Sequence, residues 1–189
     1  MRSRSFKGFT LVELMVTLAV IAILAATAAP SLREFFERYR LRGAVEDVLT
    51  VFATARQGAV KADRNVKVKF SSDTSDWCVG GIQQADPAAG ELAPVDPAPC
   101  ACETAPDTCL VSAQRLVAAA DGRGVTMASG GATITFDSKN GTLTPLSPAS
   151  VTFLSSTGRY GLEVQISPLG QARACRPASK DPFPGYPTC

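Results

Sequence analysis

Apolar residues fill almost every position from Phe9 to Pro30, and Glu13 is the one ionisable side chain in those 22 residues. At about 1.5 Å rise per residue such a run reaches roughly 30 Å as a helix, the thickness of a bilayer's hydrocarbon core. The pattern therefore predicts a membrane-spanning helix. Beyond Pro30 the apolar positions thin to a stripe. Leu32, Phe35, Phe36, Tyr39, Val45, Val48, Leu49, Phe52, Ala55 and Ala59 recur three or four residues apart, which marks one face of an amphipathic helix reaching about Lys61. Pro30 removes one backbone donor and is placed to bend this helix. Gly43 and Gly58 weaken it by about 1 kcal/mol each relative to alanine. The stripe needs a surface to cover it, and the remainder of the chain must supply one.

The remainder alternates at period two. Val66-Lys67-Val68-Lys69-Phe70 reads as a half-buried strand. Further strands are expected over Trp77 to Ile82, Leu110 to Val117, Val125 to Met127, Ala132 to Asp137, Gly141 to Leu146, Ser150 to Leu154 and Gly161 to Ser167. Asn140-Gly141 is a hairpin turn signal. Between Gln83 and Thr108, Pro87, Pro94, Pro97, Pro99 and Pro106 deny both helix and central strand, so a long surface loop is expected there. The fold class is α+β, a long amino-terminal helix packed on antiparallel sheets. The expected organisation is a leader over 1–8, a membrane helix over 9–30, its amphipathic continuation over 31–63 and a β domain over 64–189 carrying the loop at 83–108.

A length of 189 residues allows one membrane helix and one modest domain. Arg2, Arg4 and Lys7 precede the span, which is expected to keep the leader cytoplasmic and send the rest across the membrane. The six cysteines, Cys78, Cys100, Cys102, Cys109, Cys175 and Cys189, then lie on the far side, where disulfides form. Cys175 and Cys189 are expected to close the tail, and Cys102 or Cys100 with Cys109 a small loop; connectivity is otherwise open. A zinc site is the rival for the clustered cysteines, but the chain has no histidine and no paired C-x-x-C knuckles. No metal and no cofactor are expected. The net charge of +2 conceals an asymmetry: Ser71 to Cys109 holds seven acidic residues and no Lys or Arg, whereas Leu110 to Cys189 holds seven basic against four acidic. The absence of histidine removes Ser-His and Cys-His pairs, and Ser129-Gly130-Gly131 lacks the lysine of a phosphate loop, so an enzyme is not expected.

Gly8, Phe9, Thr10, Leu11, Glu13, Leu14 and Pro30, in that order and position, resemble the signature of type IV pilins and type II secretion pseudopilins. The segment 53–61, the strand after it and 166–175 are similar to the FimT/FimU/GspH group of minor pilins and pseudopilins. The resemblance implies that prepilin peptidase cuts between Gly8 and Phe9, that the new amino terminus at Phe9 is methylated, and that Phe9, Glu13 and Pro30 belong to the filament-core helix. Implied partners are other major and minor pilins and the inner-membrane assembly machinery. The implied destination is a surface pilus or a periplasmic pseudopilus. A new amine in an apolar setting would be neutralised by Glu13 of a neighbouring subunit, and Glu13→Ala would leave it uncompensated at roughly 3–5 kcal/mol if buried. A secretory signal cut at Ala26-Thr27-Ala28 and a plain signal anchor are the competing readings. Glu13, the length of the run and Pro30 oppose the first, and the second gives no reason for Gly8-Phe9 ahead of Glu13.

FimT-type minor pilins carry a Gly-Arg-x-Arg motif that contacts DNA during uptake, and this chain has Gly170-Gln171-Ala172-Arg173 at the matching place. One arginine is replaced by Gln171. Arg173, Arg176, Lys180 and Arg159 are the candidate phosphate contacts, and so few cations would support only weak, salt-sensitive binding. Three roles follow from the resemblance: a subunit that primes or caps a pilus, a DNA-binding tip pilin, and a type II secretion minor pseudopilin.

Overall fold

The computed structural model describes residues 8–73, 76–85, 97–120, 124–129 and 133–189. The chain divides into two compact units, one ending at Phe36 and one running from Glu37 to Cys189. Helix α1, Leu11–Ala62, contributes to both and continues through Pro30. In the first unit its apolar side chains are exposed on every side, from Phe9, at 80% exposure, through Leu11 to Leu24.

In the second unit the stripe is covered from Leu41 onward, whereas Tyr39, expected on the same face, is 67% exposed. Leu41, Ala44, Val45, Val48, Val51, Phe52, Ala55 and Ala59 are buried at three- and four-residue spacing. Helix α1 then ends in a Schellman motif. Arg64 N–H donates to the Ala59 carbonyl at 3.1 Å and Asp63 N–H to that of Val60 at 3.4 Å, with Asp63 left-handed at φ 52°. Asp63 accepts both Lys139 Nζ contacts, at 2.9 and 3.0 Å, and ties the helix end to a turn of the β domain.

Two antiparallel sheets form that domain. The first has the order β5-β2-β1-β7-β8, from β1 (Val66–Asp73), β2 (Asp76–Gln83), β5 (Val117–Ala119), β7 (Thr133–Phe136) and β8 (Leu143–Thr144). The second has the order β11-β10-β9-β6, from β6 (Thr126–Ser129), β9 (Ala149–Leu154), β10 (Gly161–Ile166) and β11 (Ala172–Cys175). A hairpin of β3 (Leu110–Val111) and β4 (Gln114–Arg115) stands apart. Alternation places Val66, Val68 and Phe70 of β1 and Leu162, Val164 and Ile166 of β10 inside. Phe52 of the helix meets Phe70 and Phe136 at 5.4 and 6.4 Å between ring centroids. Trp77 of β2 meets Phe153 of β9 at 4.9 Å, which joins the two sheets, and its indole N–H is satisfied by the Val125 carbonyl at 3.0 Å.

Three expectations need correction. Leu110 to Val117 is not one strand, because Ser112 and Ala113 take φ of 51° and 62° and fold it into a two-residue hairpin. Gln83 stabilises that turn, accepting from Ser112 N–H at 2.8 Å and donating to the Gly58 carbonyl at 3.2 Å. The strand expected over Gly141 to Leu146 shrinks to Leu143–Thr144, since Pro145 has no N–H to extend the ladder. Strand β11 was not anticipated at all. Of the expected loop, residues 86–96 lie outside the described residues; its distal part ends in a short 3-10 turn, Pro106–Thr108, and is fastened to β2 by the Cys78–Cys102 disulfide.

Candidate assembly segment, disulfide cluster and basic tail

Thr10 precedes the first turn of α1, and its Oγ1 accepts the Glu13 backbone N–H at 3.2 Å while its carbonyl accepts that of Leu14 at 3.1 Å. Thr10 is therefore the N-cap, its hydroxyl satisfying the backbone N–H of Glu13 at N3. Glu13 thus has a local role, placing negative charge at the positive end of the helix dipole. The Thr-x-x-Glu spacing was readable in the sequence and gives Thr10 a function that the periodicity alone did not. Gly8, Phe9 and Glu13 are all exposed.

The cysteines pair as Cys78–Cys102, Cys100–Cys109 and Cys175–Cys189. The first two bridges cluster with Ile82 and Val117 against β2. A side chain at Gly80 has no room there: a Cβ would lie 2.6 Å from Cys100 Sγ, 2.8 Å from Cys109 Sγ and 2.9 Å from Cys102 Cβ. These sulfurs are held in disulfides and not offered as metal-binding thiolates. Among the described residues no group of three or more His, Cys, Asp or Glu is arranged to hold a metal ion.

The four candidate cations do not form one open patch. Arg176 donates to the Lys180 carbonyl at 2.7 Å, the Pro177 carbonyl at 3.3 Å and Thr188 Oγ1 at 2.8 Å. Lys180 Nζ reaches the Gly158 carbonyl at 2.8 Å. Arg159 pairs with Asp181 at 3.0 Å and lies over the Tyr160 ring, which Arg38 also faces. These three cations fasten the carboxyl-terminal tail to the domain. Phe183 adds apolar cover, at 6% exposure, with its ring edge-on to Tyr160 and Tyr186. Burial first, and Glu46 after it, push the Tyr186 phenol above its ordinary range.

Arg173 stands apart on β11. Its Nε and Nη2 donate to Gln165 Oε1 at 3.3 and 3.1 Å, and Gln165 Nε2 donates to Glu163 Oε1 at 3.1 Å. Gly170 belongs to the turn before it, at φ +74°, where a Cβ would collide with the Gly141 carbonyl. Arg56 of α1 donates to that same carbonyl at 3.1 Å, and Leu143 N–H donates to the Pro168 carbonyl at 2.9 Å. The glycine of the motif therefore serves the meeting of helix and two turns.

Residues 44–170 match the family model described as type II transport protein GspH, and residues 3–29 match the prokaryotic N-terminal methylation motif. Two fimbrial proteins of Pseudomonas aeruginosa are each 32% identical over 74 residues, 39% of this chain. The match spans 47% of each of them, so the chain covers about half the length of the curated relatives it matches. Two crystal structures of the type IV minor pilin FimU of Pseudomonas aeruginosa PAO1 superpose with TM-scores of 0.45 and 0.43 at 23% and 21% identity, covering 78% and 75% of this chain and 96% and 97% of theirs. The GspH match takes in more than half of the chain and the methylation motif stands at its head, so the chain belongs to the GspH family, among the minor pilins and pseudopilins of type IV-like filaments.

Proposed function

We propose that this chain is a structural subunit that primes or caps a type IV pilus after prepilin peptidase cuts between Gly8 and Phe9 and Phe9 is methylated. The observation that carries the reading is an apolar helix, Leu11–Ala29, none of it buried against its own chain, with one carboxylate at its head. Such a surface is covered by lipid before assembly and by neighbouring helices after it. Cleavage leaves a cationic amine at Phe9, and Glu13 of an adjacent subunit would neutralise it and set register. Mass spectrometry of the amino terminus from sheared filaments should find methylated Phe9. Chains that retain the first eight residues, or begin after the Ala26-Thr27-Ala28 cluster, would overturn the reading.

A second reading, a minor pseudopilin of type II secretion, is favoured by the GspH family description itself. Deletion of the gene separates the two. Loss of surface filaments and twitching supports the pilus, and loss of an exported enzyme with filaments intact supports secretion. The DNA-binding alternative rests on Arg173, Arg176, Lys180 and Arg159, three of which fasten the tail.

A further inference from the structure

The outer face of the second sheet carries chemistry that filament assembly does not use. An open groove of about 630 Å³ runs across β9, β10 and β11, within the 300–1,000 Å³ range of small-ligand sites. Its floor is a polar ladder set by strand register, with Gln165 opposite both Ser150 and Arg173. Pro148 and Pro168 are also among the lining residues, and Leu146 and Leu169, near them in the chain, are 69% and 62% exposed.

Donors and acceptors are mixed along the floor. The Arg173 guanidinium is oriented by Gln165 through two of its five N–H groups, which leaves donor capacity for a ligand. Gln165 is in turn oriented by Glu163, so the planar groups are held in place before a ligand arrives. The Glu163 carboxylate lines the same groove. A polyanion would meet that carboxylate beside a single arginine and gain little. A ligand whose every polar group both donates and accepts suits the mixture. Hydroxyls do this, and adjacent hydroxyls match planar, two-pronged side chains such as guanidinium, carboxamide and carboxylate. Pro148, Pro168, Ala149 and Ala172, which line the groove, give apolar surface for the carbon skeleton.

We infer that the groove formed by Arg173, Gln165, Glu163 and Ser150 binds a neutral saccharide. The site is separate from the amino-terminal helix, so it survives failure of the assembly reading. The test uses the full chain in a detergent without a sugar headgroup, on an array of neutral oligosaccharides of glucose, galactose and N-acetylglucosamine, with duplex DNA and polyglutamate as polyanion arms. Binding to at least one neutral oligosaccharide is expected, weakened tenfold or more by Arg173→Leu and by Glu163→Leu and unchanged by Arg115→Gln, outside the groove. Thermal midpoints of the variants separate loss of binding from loss of fold. Absence of any neutral-saccharide signal at 10 mM ligand would overturn the inference. So would binding confined to the polyanions and strengthened by Glu163→Gln, which would identify the face as a nucleic-acid or acidic-peptide surface.

Discussion

Gly80 and Gly81 are neighbours on β2, and adding one methyl group to each should have unequal consequences. At Gly80 the new Cβ meets Cys100 Sγ, Cys109 Sγ and Cys102 Cβ at 2.6, 2.8 and 2.9 Å. None of these is the free end of a flexible side chain, because each belongs to a disulfide. At Gly81 the one contact below 3 Å is Leu116 Cδ2 at 2.8 Å, a terminal methyl that can rotate away. Overpacking typically costs about 1–3 kcal/mol, and replacing glycine by alanine returns roughly 0.4–1 kcal/mol by restricting the unfolded chain. Gly80→Ala, at the upper end of the first range, should lose about 2–2.6 kcal/mol net, and Gly81→Ala, at its lower end, less than about 0.6.

Urea unfolding of a fragment beginning at Glu37 measures both. With a slope of about 2 kcal/mol per molar urea, Gly80→Ala should shift the midpoint by roughly 1–1.3 M and Gly81→Ala by little. The decisive comparison repeats Gly80→Ala in a Cys100→Ala, Cys109→Ala background. Removing that bridge, with 9 residues of separation, costs about 2.7 kcal/mol by itself on loop entropy, but it also removes the two nearest sulfurs. More than half of the Gly80→Ala penalty should vanish there. An undiminished penalty, or an equal cost at Gly81, would refute the steric account.

Removing the tail bridge with Cys175→Ser and Cys189→Ser, 14 residues apart, should lower stability by about 3 kcal/mol and expose the tail to carboxypeptidase; an unchanged urea midpoint would contradict it. Arg176→Ala should lose about 1–3 kcal/mol because it deletes charged donors to three tail acceptors, whereas Arg173→Ala should be near neutral in stability. A gel-shift defect in Arg176→Ala alone therefore reports on folding, and Arg173→Ala is the variant that tests DNA contact. Hydrogen bonding and charge from Lys139 hold the Asp63 carboxyl below its ordinary 3.8, and Asp63 raises Lys139 above 10.5. The carboxylate's contribution is present above pH 3.8 and lost as pH falls through the lowered value; that of Lys139 is present below pH 10.5 and lost as pH rises through the raised one. Carbon-detected NMR titration should find Asp63 returning towards 3.8 in Lys139→Ala, and no movement would dismiss the pair.

Long-period signals were legible in the sequence, and short-range geometry only in part: Asn140-Gly141 marks the turn between β7 and β8. The stripe from Val45 to Ala59 and the alternation of Val66, Val68 and Phe70 gave helix and strand because burial follows period. The Ser112-Ala113 turn was illegible because neither residue advertises a positive φ; the turn is sustained by Gln83, 29 residues before Ser112. β11 was hidden for the opposite reason. Its short run of alanines and one arginine has little strand propensity, and pairing with β10 supplies what the side chains do not. The partner acceptors of Arg176, Arg159 and Lys180 lie mostly on turns and on the tail, which no periodicity locates. A resemblance read as a row of phosphate contacts met a chain that spends three of those cations on its own tail.

Magnitudes also decide how Glu13 can sit in an apolar segment. Eleven large apolar side chains between Phe9 and Leu24 are at least half exposed. Covering each with lipid or a neighbouring helix is worth about 1.5–3 kcal/mol, roughly 15–30 kcal/mol together. A carboxylate near the end of a span costs only about 1–3 kcal/mol. The segment therefore enters an apolar environment with or without Glu13, and the carboxylate's contribution has to be sought in where the helix stops relative to its neighbours. Capping by Thr10 fits that division. It fixes the first turn of α1 and with it the height of Glu13 on the helix, so that in the proposed pairing the amine of a neighbouring subunit would meet the carboxylate at one axial register and miss it at others.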